Sequence, residues 1–246
     1  MSATATNVRR KIINAARRLS RRVDELSFAE PVTHVYNPLD YAWDAHAEYL
    51  KRVNDAGVRV IFLGMHPGPS GMALTGVPFG EIAAARDWLG INVAVNRPDE
   101  EHPKRPIEGF ECQRSEVSGR RLWGLFQERF ADADEFFEEH FVANYCPLVF
   151  MEESARNRTP DKLPAAEREP LDQACDQHLS EILSILQPEF AVGVGSYAEQ
   201  CLKRVLKATG SDARLSRILH PSPASPAANK DWAGKVTVQM HEAGIW

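Results

Sequence analysis

Apolar positions along the chain follow two periods, one typical of buried strands and one typical of amphipathic helices. Continuous apolar runs predict buried strands at Val58–Gly64 and Glu189–Gly195, and shorter runs predict strands at His140–Asn144 and Leu215–Leu219. The helical period predicts helices at 7–26, 41–56, 81–89, 118–130, 133–139, 165–186, 196–209 and 235–242. Strands that alternate with helices predict a three-layer α/β fold, with a mostly parallel four-stranded sheet flanked by helices.

The chain shows no repeat, no linker and no change of composition that would divide it. We therefore expect residues 1–246 to form a single domain, in which the segments 146–164 and 220–232 are irregular loops. Hydrophobic residues make up 43% and charged residues 26%, which excludes the disordered and fibrous classes. No apolar run approaches the length of a membrane span, so no membrane association is expected.

The cysteines are too far apart in sequence for a compact metal site. The chain has four of them and no CxxC motif, which argues against a zinc knuckle or an iron–sulfur cluster. They are Cys112, Cys146, Cys175 and Cys201. Without a recognisable secretory signal, reduced thiols are expected, and we predict a cytoplasmic protein of bacterial origin.

Charge is unevenly distributed, although the net charge is only −5. The predicted N-terminal helix, at about 7–26, carries seven basic residues and no acid between Asn7 and Val23. These are Arg9, Arg10, Lys11, Arg17, Arg18, Arg21 and Arg22. Two interpretations stay open for this helix: a solvated outer face, or a surface that contacts phosphates.

Three loops with polar residues directly follow predicted strands, at 64–80, 144–148 and 220–230. In a parallel sheet, ligands bind where loops leave the carboxyl ends of the strands, so these loops are expected to converge. The first loop is rich in glycine and proline but matches neither GxGxxG nor the phosphate-binding P-loop. A nucleotide-phosphate site is therefore disfavoured.

Four side chains in these loops suit a flat heterocycle. His66 supplies a polar group at a strand tip and Phe79 an aromatic face, although a lone phenylalanine is more often a core residue. The Asn144 amide can pair with a C=O and an adjacent N–H of a pyrimidine, although such an asparagine is often a turn residue. His220 can donate to a developing anion, or simply cap the loop. Together they predict a ligand site.

The chain resembles the single-strand-selective monofunctional uracil-DNA glycosylases, in order from about Asn37 to Trp232, and six stretches carry most of this resemblance. They are GMHPGPSGMALTGVPFGE (64–81), HPKRPIEGFECQRSEVSGRRLWG (102–124), FVANYCPLVF (141–150), RNRTPDKLPAAERE (156–169), VGVGSYAEQ (192–200) and LHPSPASPAANKDW (219–232). The resemblance implies the fold of that superfamily and a uracil base in DNA as substrate. It also implies that no metal and no cofactor is needed. The expected partner is uracil-containing DNA, with single-stranded DNA as the main form and double-stranded DNA as a further candidate, and the protein is expected to be a monomer.

The same resemblance assigns roles to individual residues. Asn144 would read the uracil edge, Phe79 would stack on the ring, and His220 would stabilise the departing base. The remaining pocket residues would be Gly64, Met65, Gly68 and Met72. A loop would wedge into DNA and fill the space of a flipped nucleotide through Pro221, Ser222, Pro223, Ala224, Ser225, Asn229 and Lys230.

The chain departs from the family pattern at four positions. His66 stands where the family has the asparagine that positions the hydrolytic water, and Ala224 where it has an arginine in the wedge loop. Ser70 replaces an aromatic residue and Leu74 a glutamine. These changes leave base recognition intact, but they put water activation and duplex insertion in question.

His66 leaves three outcomes open. As a neutral imidazole it could activate water, or it could attack C1′ of the sugar and stay covalently attached. The second outcome resembles the chemistry of X-type uracil glycosylases, which carry a different motif and an iron–sulfur cluster. The third outcome is a protein that binds uracil-DNA without cleaving it. We favour covalent attack, because histidine is bulkier than asparagine and would crowd the water.

Other enzyme classes fit the sequence poorly. A zinc-dependent base deaminase needs H-x-E together with P-C-x-x-C. The tripeptide His46-Ala47-Glu48 fits only the first half of that pattern, and the second half is absent. Reversible uracil-DNA binding without bond cleavage is therefore the main alternative from another functional class.

Overall fold

The computed structural model describes residues 5–246. Its strands are β1 (Val32–Tyr36), β2 (Val60–Gly64), β3 (His140–Asn144), β4 (Val149–Glu152), β5 (Asn157–Arg158), β6 (Phe190–Val194) and β7 (Arg214–Ile218). Its α-helices are α1 (Ala5–Asp24), α2 (Pro38–Tyr41), α3 (Trp43–Leu50), α4 (Met72–Thr75), α5 (Val117–Arg129), α6 (Ala133–Glu139), α7 (Ala165–Leu186), α8 (Ser196–Thr209) and α9 (Pro226–Glu242). Short 3-10 turns lie at Gly109–Glu111 and Pro160–Lys162.

The central sheet has the predicted α/β architecture. Four strands pair in the order β3-β2-β6-β7, all of them parallel, and helices flank the sheet. Every residue of β2 and β6 is buried, as expected for strands that are covered on both faces. In the register, Gly64 lies beside Asn144, so the loops that follow β2 and β3 begin next to each other. The predicted fold class is confirmed.

A second, smaller sheet was not predicted. Strands β1, β4 and β5 form an antiparallel sheet in the order β1-β4-β5. The prediction of an irregular segment over 146–164 is therefore wrong in part, because β4, β5 and a 3-10 turn lie within it. These strands are short, and β1 pairs with a strand more than a hundred residues further along the chain. The turn of the chain at β5 brings Asn157 towards the central sheet.

Three predicted helices have other boundaries in the structure. The region 41–56 is divided between α2 and α3 and ends early, and 81–89 contains a wide π-helical turn at Ala84–Trp88. The final helical segment begins at Pro226, is interrupted by a kink at Asp231 and continues to Glu242, so the predicted loop 220–232 is too long. Ser225 caps this helix by accepting a hydrogen bond from the backbone N–H of Ala228, and proline fits its first turn.

Helix α1 is part of the hydrophobic core. Its apolar side packs against α7, while Arg10 and Arg21 are exposed on its other side. The buried residues of this helix include Ile12, Ala15, Ala16, Leu19 and Val23. Removing the helix would therefore expose the core, so any role of its basic face in DNA binding is better tested by single substitutions at Arg10 and Arg21.

All four cysteines are buried and unpaired by disulfides. Burial raises the pKa of the Cys201 thiol to about 12 and that of Cys175 well above its usual range, so both thiols stay protonated near neutral pH. Within residues 5–246, no helix has the length and apolar character that crossing a membrane requires.

Candidate functional site

The carboxyl ends of the parallel strands surround a cavity of about 360 Å³. Loops after β2, β3 and β7 all contribute to it, as the sequence predicted. Its lining comprises Met65, His66, Gly68, Gly71, Met72, Phe79, Glu116, Ser118, Asn144, Asn157, Thr159, His220 and Ser222. A cavity of this size, lined by one aromatic ring and a few convergent polar groups, suits a small heterocycle.

Gly64, at the end of β2, packs directly against two of these side chains, Asn144 and Phe79. A Cβ atom there would lie 2.4 Å from Oδ1 of Asn144 and 2.5 Å from Cε2 of Phe79. Both distances are far below van der Waals contact, so only glycine lets the amide and the ring sit together at this place. Gly64 is therefore required for the packing of the site, and its contact with the base stays a prediction.

Phe79 is held in a strained backbone conformation. Its φ angle is 53°, in the left-handed region that residues other than glycine seldom adopt. A Cβ atom on Gly119 of α5 would lie only 2.0 Å from the backbone oxygen of Phe79. The close approach of α5 thus fixes the backbone of Phe79, whose ring lies 6.4 Å from the His220 ring between centroids.

The side-chain amide of Asn144 uses only one of its two polar atoms in a hydrogen bond with the described residues. Its Nδ2 donates to the sulfur of Met72 at 3.2 Å, which is a weak acceptor, and its buried Oδ1 has no partner among the described residues. A buried acceptor without a partner costs free energy, and a ligand N–H would satisfy it. The amide is therefore arranged to pair with a donor and an adjacent acceptor on the edge of a heterocycle.

His220 presents one N–H from a neutral ring. Its Nδ1 accepts a hydrogen bond from the backbone N–H of Ser222 at 3.0 Å, and burial lowers its pKa. A neutral imidazole whose Nδ1 accepts must carry its proton on Nε2. Gly195, with a φ angle of 89°, makes room for the histidine, because a Cβ atom there would lie 3.1 Å from Cβ of His220.

His66 is also neutral at neutral pH. Burial lowers the pKa of His66 to about 4, with a further small decrease from His220, while Asn157 and the Asp161 carboxylate act in the opposite direction. Its Nε2 accepts a hydrogen bond from Nδ2 of Asn157 at 3.2 Å. The ring is therefore unprotonated near neutral pH, which is the state that a nucleophile or a general base requires.

Comparison with known proteins identifies the family. A profile of the uracil DNA glycosylase superfamily matches residues 50–239. The chain is 47% identical to the rat single-strand selective monofunctional uracil-DNA glycosylase over 228 residues, and 46% identical to the mouse and cattle proteins of the same name. These alignments cover 93% of the chain and 82%, 82% and 84% of the three relatives. The chain belongs to the uracil-DNA glycosylase superfamily, in its single-strand-selective monofunctional branch.

A solved structure supports the same fold for this uracil-DNA glycosylase family member. Wild-type SMUG2 from Pedobacter heparinus superposes with a TM-score of 0.65 at 15% identity, covering 93% of this chain and 96% of that one. The three sequence relatives are vertebrate proteins, which does not support the expected bacterial origin. The cytoplasmic compartment stays a prediction.

In this glycosylase chain, most predicted pocket residues converge, and several further ones join them. Asn157 and Thr159 come from the unpredicted β5 region, and Glu116 from the start of α5. Glu116 caps α5 by accepting hydrogen bonds from the backbone N–H groups of Ser118 and Gly119, and burial raises its pKa. In the sequence, these residues lie within the stretches 102–124 and 156–169, which resemble the family. The resemblance gave no role to any of the three.

The predicted wedge residues lie in the loop after β7 and at the start of α9. Of these, only Ser222 lines the cavity itself. Arg121 of α5 ties the loop down, since its guanidinium donates to the backbone oxygen of Pro221 at 2.9 Å and to Oδ1 of Asn229 at 3.0 Å. Pro223, Ala224 and Lys230 are exposed, and Ser225 is the helix cap described above. Their contact with DNA stays a prediction.

Proposed function

We propose that this protein removes uracil from DNA by cleaving the bond between C1′ of deoxyribose and N1 of the base. The observation that supports the proposal is a single cavity lined by Phe79, by the amide of Asn144 and by two neutral histidines. Among the described residues, the Oδ1 atom of this amide has no hydrogen-bond partner. Relatives at 46–47% identity bear the name uracil-DNA glycosylase. Single-stranded DNA is the substrate that fits their name, and double-stranded DNA is an additional substrate to test.

In this proposal uracil is read by its edge and its face. Oδ1 of Asn144 accepts from N3–H of uracil, and Nδ2 donates to O4 after leaving its weak sulfur acceptor. Cytosine reverses both groups and would leave the buried amide unpaired, which is a strong basis for rejection. Phe79 stacks on the ring. The nucleotide must leave the base stack to reach the cavity, and residues 221–230 would fill the space it vacates.

His220 serves bond cleavage. As the C1′–N1 bond breaks, its electron pair moves to the uracil, and negative charge develops on the base oxygens. The Nε2–H of His220 donates to the O2 oxygen and stabilises this anion in a largely dry site. Because the ring is neutral, the donation needs no proton transfer.

His66 is proposed to react with the sugar, at the C1′ atom from which uracil departs. We propose that a lone pair of its ring forms a bond to C1′ while the electron pair of the C1′–N1 bond leaves with uracil. The remaining ring proton then passes to the uracil anion, so that neutral uracil and a neutral N-linked adduct result. The neutral state of His66 near pH 7 supports this step, because a protonated ring has no lone pair to give.

Water activation by His66 is the second candidate. The specific observation in its favour is the hydrogen bond from Asn157, which already occupies one ring nitrogen and holds the ring in place. This reaction requires the tautomer with its proton on Nε2, so that Nδ1 takes a proton from water as the water oxygen bonds to C1′. The pocket and the uracil chemistry are the same for both candidates, and only the fate of C1′ differs.

An end-labelled single-stranded oligonucleotide with one uracil distinguishes these reactions. We expect a slow band on denaturing gels that survives boiling in detergent, never exceeds the amount of protein, and disappears with His66→Ala. Alkali-cleaved product in excess over protein, without a slow band, would instead assign the hydrolytic reaction. Binding without either product would contradict the proposed glycosylase activity and leave a uracil-DNA reader.

Substitution Gly64→Ala tests whether the cavity is the site. We expect excision to slow by about 10²-fold or more, because the new methyl group displaces both Asn144 and Phe79. The overpacking should also lower the free energy of unfolding by about 1–3 kcal/mol. Excision would be measured in single turnover, and stability by urea unfolding.

The matched control for this substitution is Gly124→Ala. Gly124 lies inside α5, and a Cβ atom there would meet nothing within 4 Å. Alanine should stabilise the helix by about 0.5–1 kcal/mol and leave excision unchanged. An unchanged excision rate in Gly64→Ala would show that the reaction takes place elsewhere.

A further inference from the structure

Asn157 is the one side chain within residues 5–246 that hydrogen-bonds to His66. It lies on the two-residue strand β5, lines the cavity, and donates from Nδ2 to Nε2 of His66 at 3.2 Å. No family role was assigned to it in the sequence. Its other amide atom, Oδ1, is buried and has no partner among the described residues.

The hydrogen bond determines which ring nitrogen can react. Nε2 is occupied by Asn157, so Nδ1 is the nitrogen that is left for the substrate. While Nε2 accepts, a neutral ring must carry its proton on Nδ1, and in this tautomer Nδ1 has no lone pair. The free protein therefore holds His66 in a form that neither attacks carbon nor accepts a proton at Nδ1.

A rotation of the Asn157 amide by half a turn reverses this situation. Oδ1 then accepts from Nε2–H, so the ring proton lies on Nε2 and Nδ1 presents its lone pair. The rotation breaks only one hydrogen bond, and it satisfies an oxygen that has no partner in the free protein. A primary amide can serve both tautomers, because one end donates and the other accepts.

We infer that Asn157 is a positioning residue that sets the tautomer of His66 and makes Nδ1 its reactive nitrogen. The inference deepens the proposed function and rests on it for the identity of the reacting atom, C1′. It holds for both fates of C1′. In attack, Nδ1 forms the bond to C1′ and the Nε2 proton passes to the uracil anion. In hydrolysis, Nδ1 takes the proton of the water whose oxygen bonds to C1′.

Two variants and two measurements test this role. Asn157→Asp places an acceptor alone beside Nε2, and Asn157→Leu keeps similar bulk without any polar atom. The ring nitrogens of His66 in the free, 15N-labelled protein report the tautomer and the pKa by NMR. We expect the proton on Nδ1 in the unchanged protein, on Nε2 in Asn157→Asp, and a mixture in Asn157→Leu.

The kinetic measurement separates positioning from packing. We expect Asn157→Leu to slow single-turnover excision by about 10–100-fold without weakening the binding of uracil-DNA. Asn157→Asp should keep the rate near neutral pH. As the pH is lowered, its rate should begin to decline at a higher pH than in the unchanged protein, because the carboxylate stabilises the protonated, unreactive ring of His66. The other charged or titratable groups near His66, namely His220, Asp161 and Glu116, are the same in all three proteins.

His220 provides an internal reference in the same spectra. Its proton should lie on Nε2 in all three proteins, since its partner is the backbone of Ser222. The inference is overturned if the tautomer and pKa of His66 are the same in all three proteins. Failure of the unchanged protein to release uracil would count against the proposed function, whereas the NMR result bears on Asn157 alone.

Discussion

We expect the replacement of His220 by alanine to lower the single-turnover rate of uracil excision by about 10²–10³-fold while uracil-DNA still binds. The Nε2–H of this neutral ring donates to an oxygen whose negative charge develops only as the C1′–N1 bond breaks. Loss of the donor therefore raises the energy of the transition state much more than that of the bound substrate. The measurement is the rate with protein in excess over a uracil oligonucleotide, together with its dissociation constant.

The control for this substitution is His241→Ala. His241 is exposed near the end of α9, far along the chain from the cavity residues, and its loss should leave the excision rate unchanged. Equal rates for His220→Ala and the unchanged protein would remove His220 from the reaction. A weaker affinity with an unchanged rate would reassign it to binding.

The free energy of unfolding should decrease steeply as the pH falls from about 6.5 towards 4. Burial lowers the pKa of His46, His66 and His140 from 6.5 to about 4, and that of His178 to about 3. Between these values the unfolded chain binds more protons than the folded protein, so stability is complete above pH 6.5 and is lost on acidification. Over this pH interval, each such histidine lowers the free energy of unfolding by about 3 kcal/mol. The sum over the four histidines is comparable to the total stability of a typical domain.

Urea unfolding at pH values across this interval measures the effect. The slope of the unfolding free energy against pH gives the number of protons taken up, and His140→Leu should reduce that number by about one. His140 is suitable because its buried Nε2 has no hydrogen-bond partner in the part of the chain that the structure describes, and its ring packs against Phe136. A stability that does not depend on pH between 4 and 6.5 would contradict the prediction.

The central sheet was predictable because its strands are buried on both faces. Such strands appear in the sequence as short, continuous apolar runs, and β2 and β6 were found within one or two residues of their ends. The long helices α7 and α8 were found with their bounds as well. Their apolar positions repeat with the helical period regardless of what they pack against.

The small sheet was not predictable for the opposite reason. β1 mixes buried and half-exposed residues, and β5 has only two residues, so neither gives a clear period. Their pairing with β4 is decided by contacts between distant parts of the chain. Asn157 was missed with β5, and Glu116 was missed because a helix cap has no apolar signature.

By itself, the sequence determined the four strands of the central sheet, the long helices, the strand ends where polar residues gather, and the resemblance to a uracil-DNA glycosylase family. These are local patterns, set by the periodicity and chemistry of neighbouring residues. Only the tertiary structure decided that Asn157 hydrogen-bonds to His66, that Gly64 packs against Phe79 and Asn144, and that burial lowers the pKa of both cavity histidines. Hydrogen-bond partners and pKa values depend on burial and on groups far away in sequence, and these are specified only when the chain is folded.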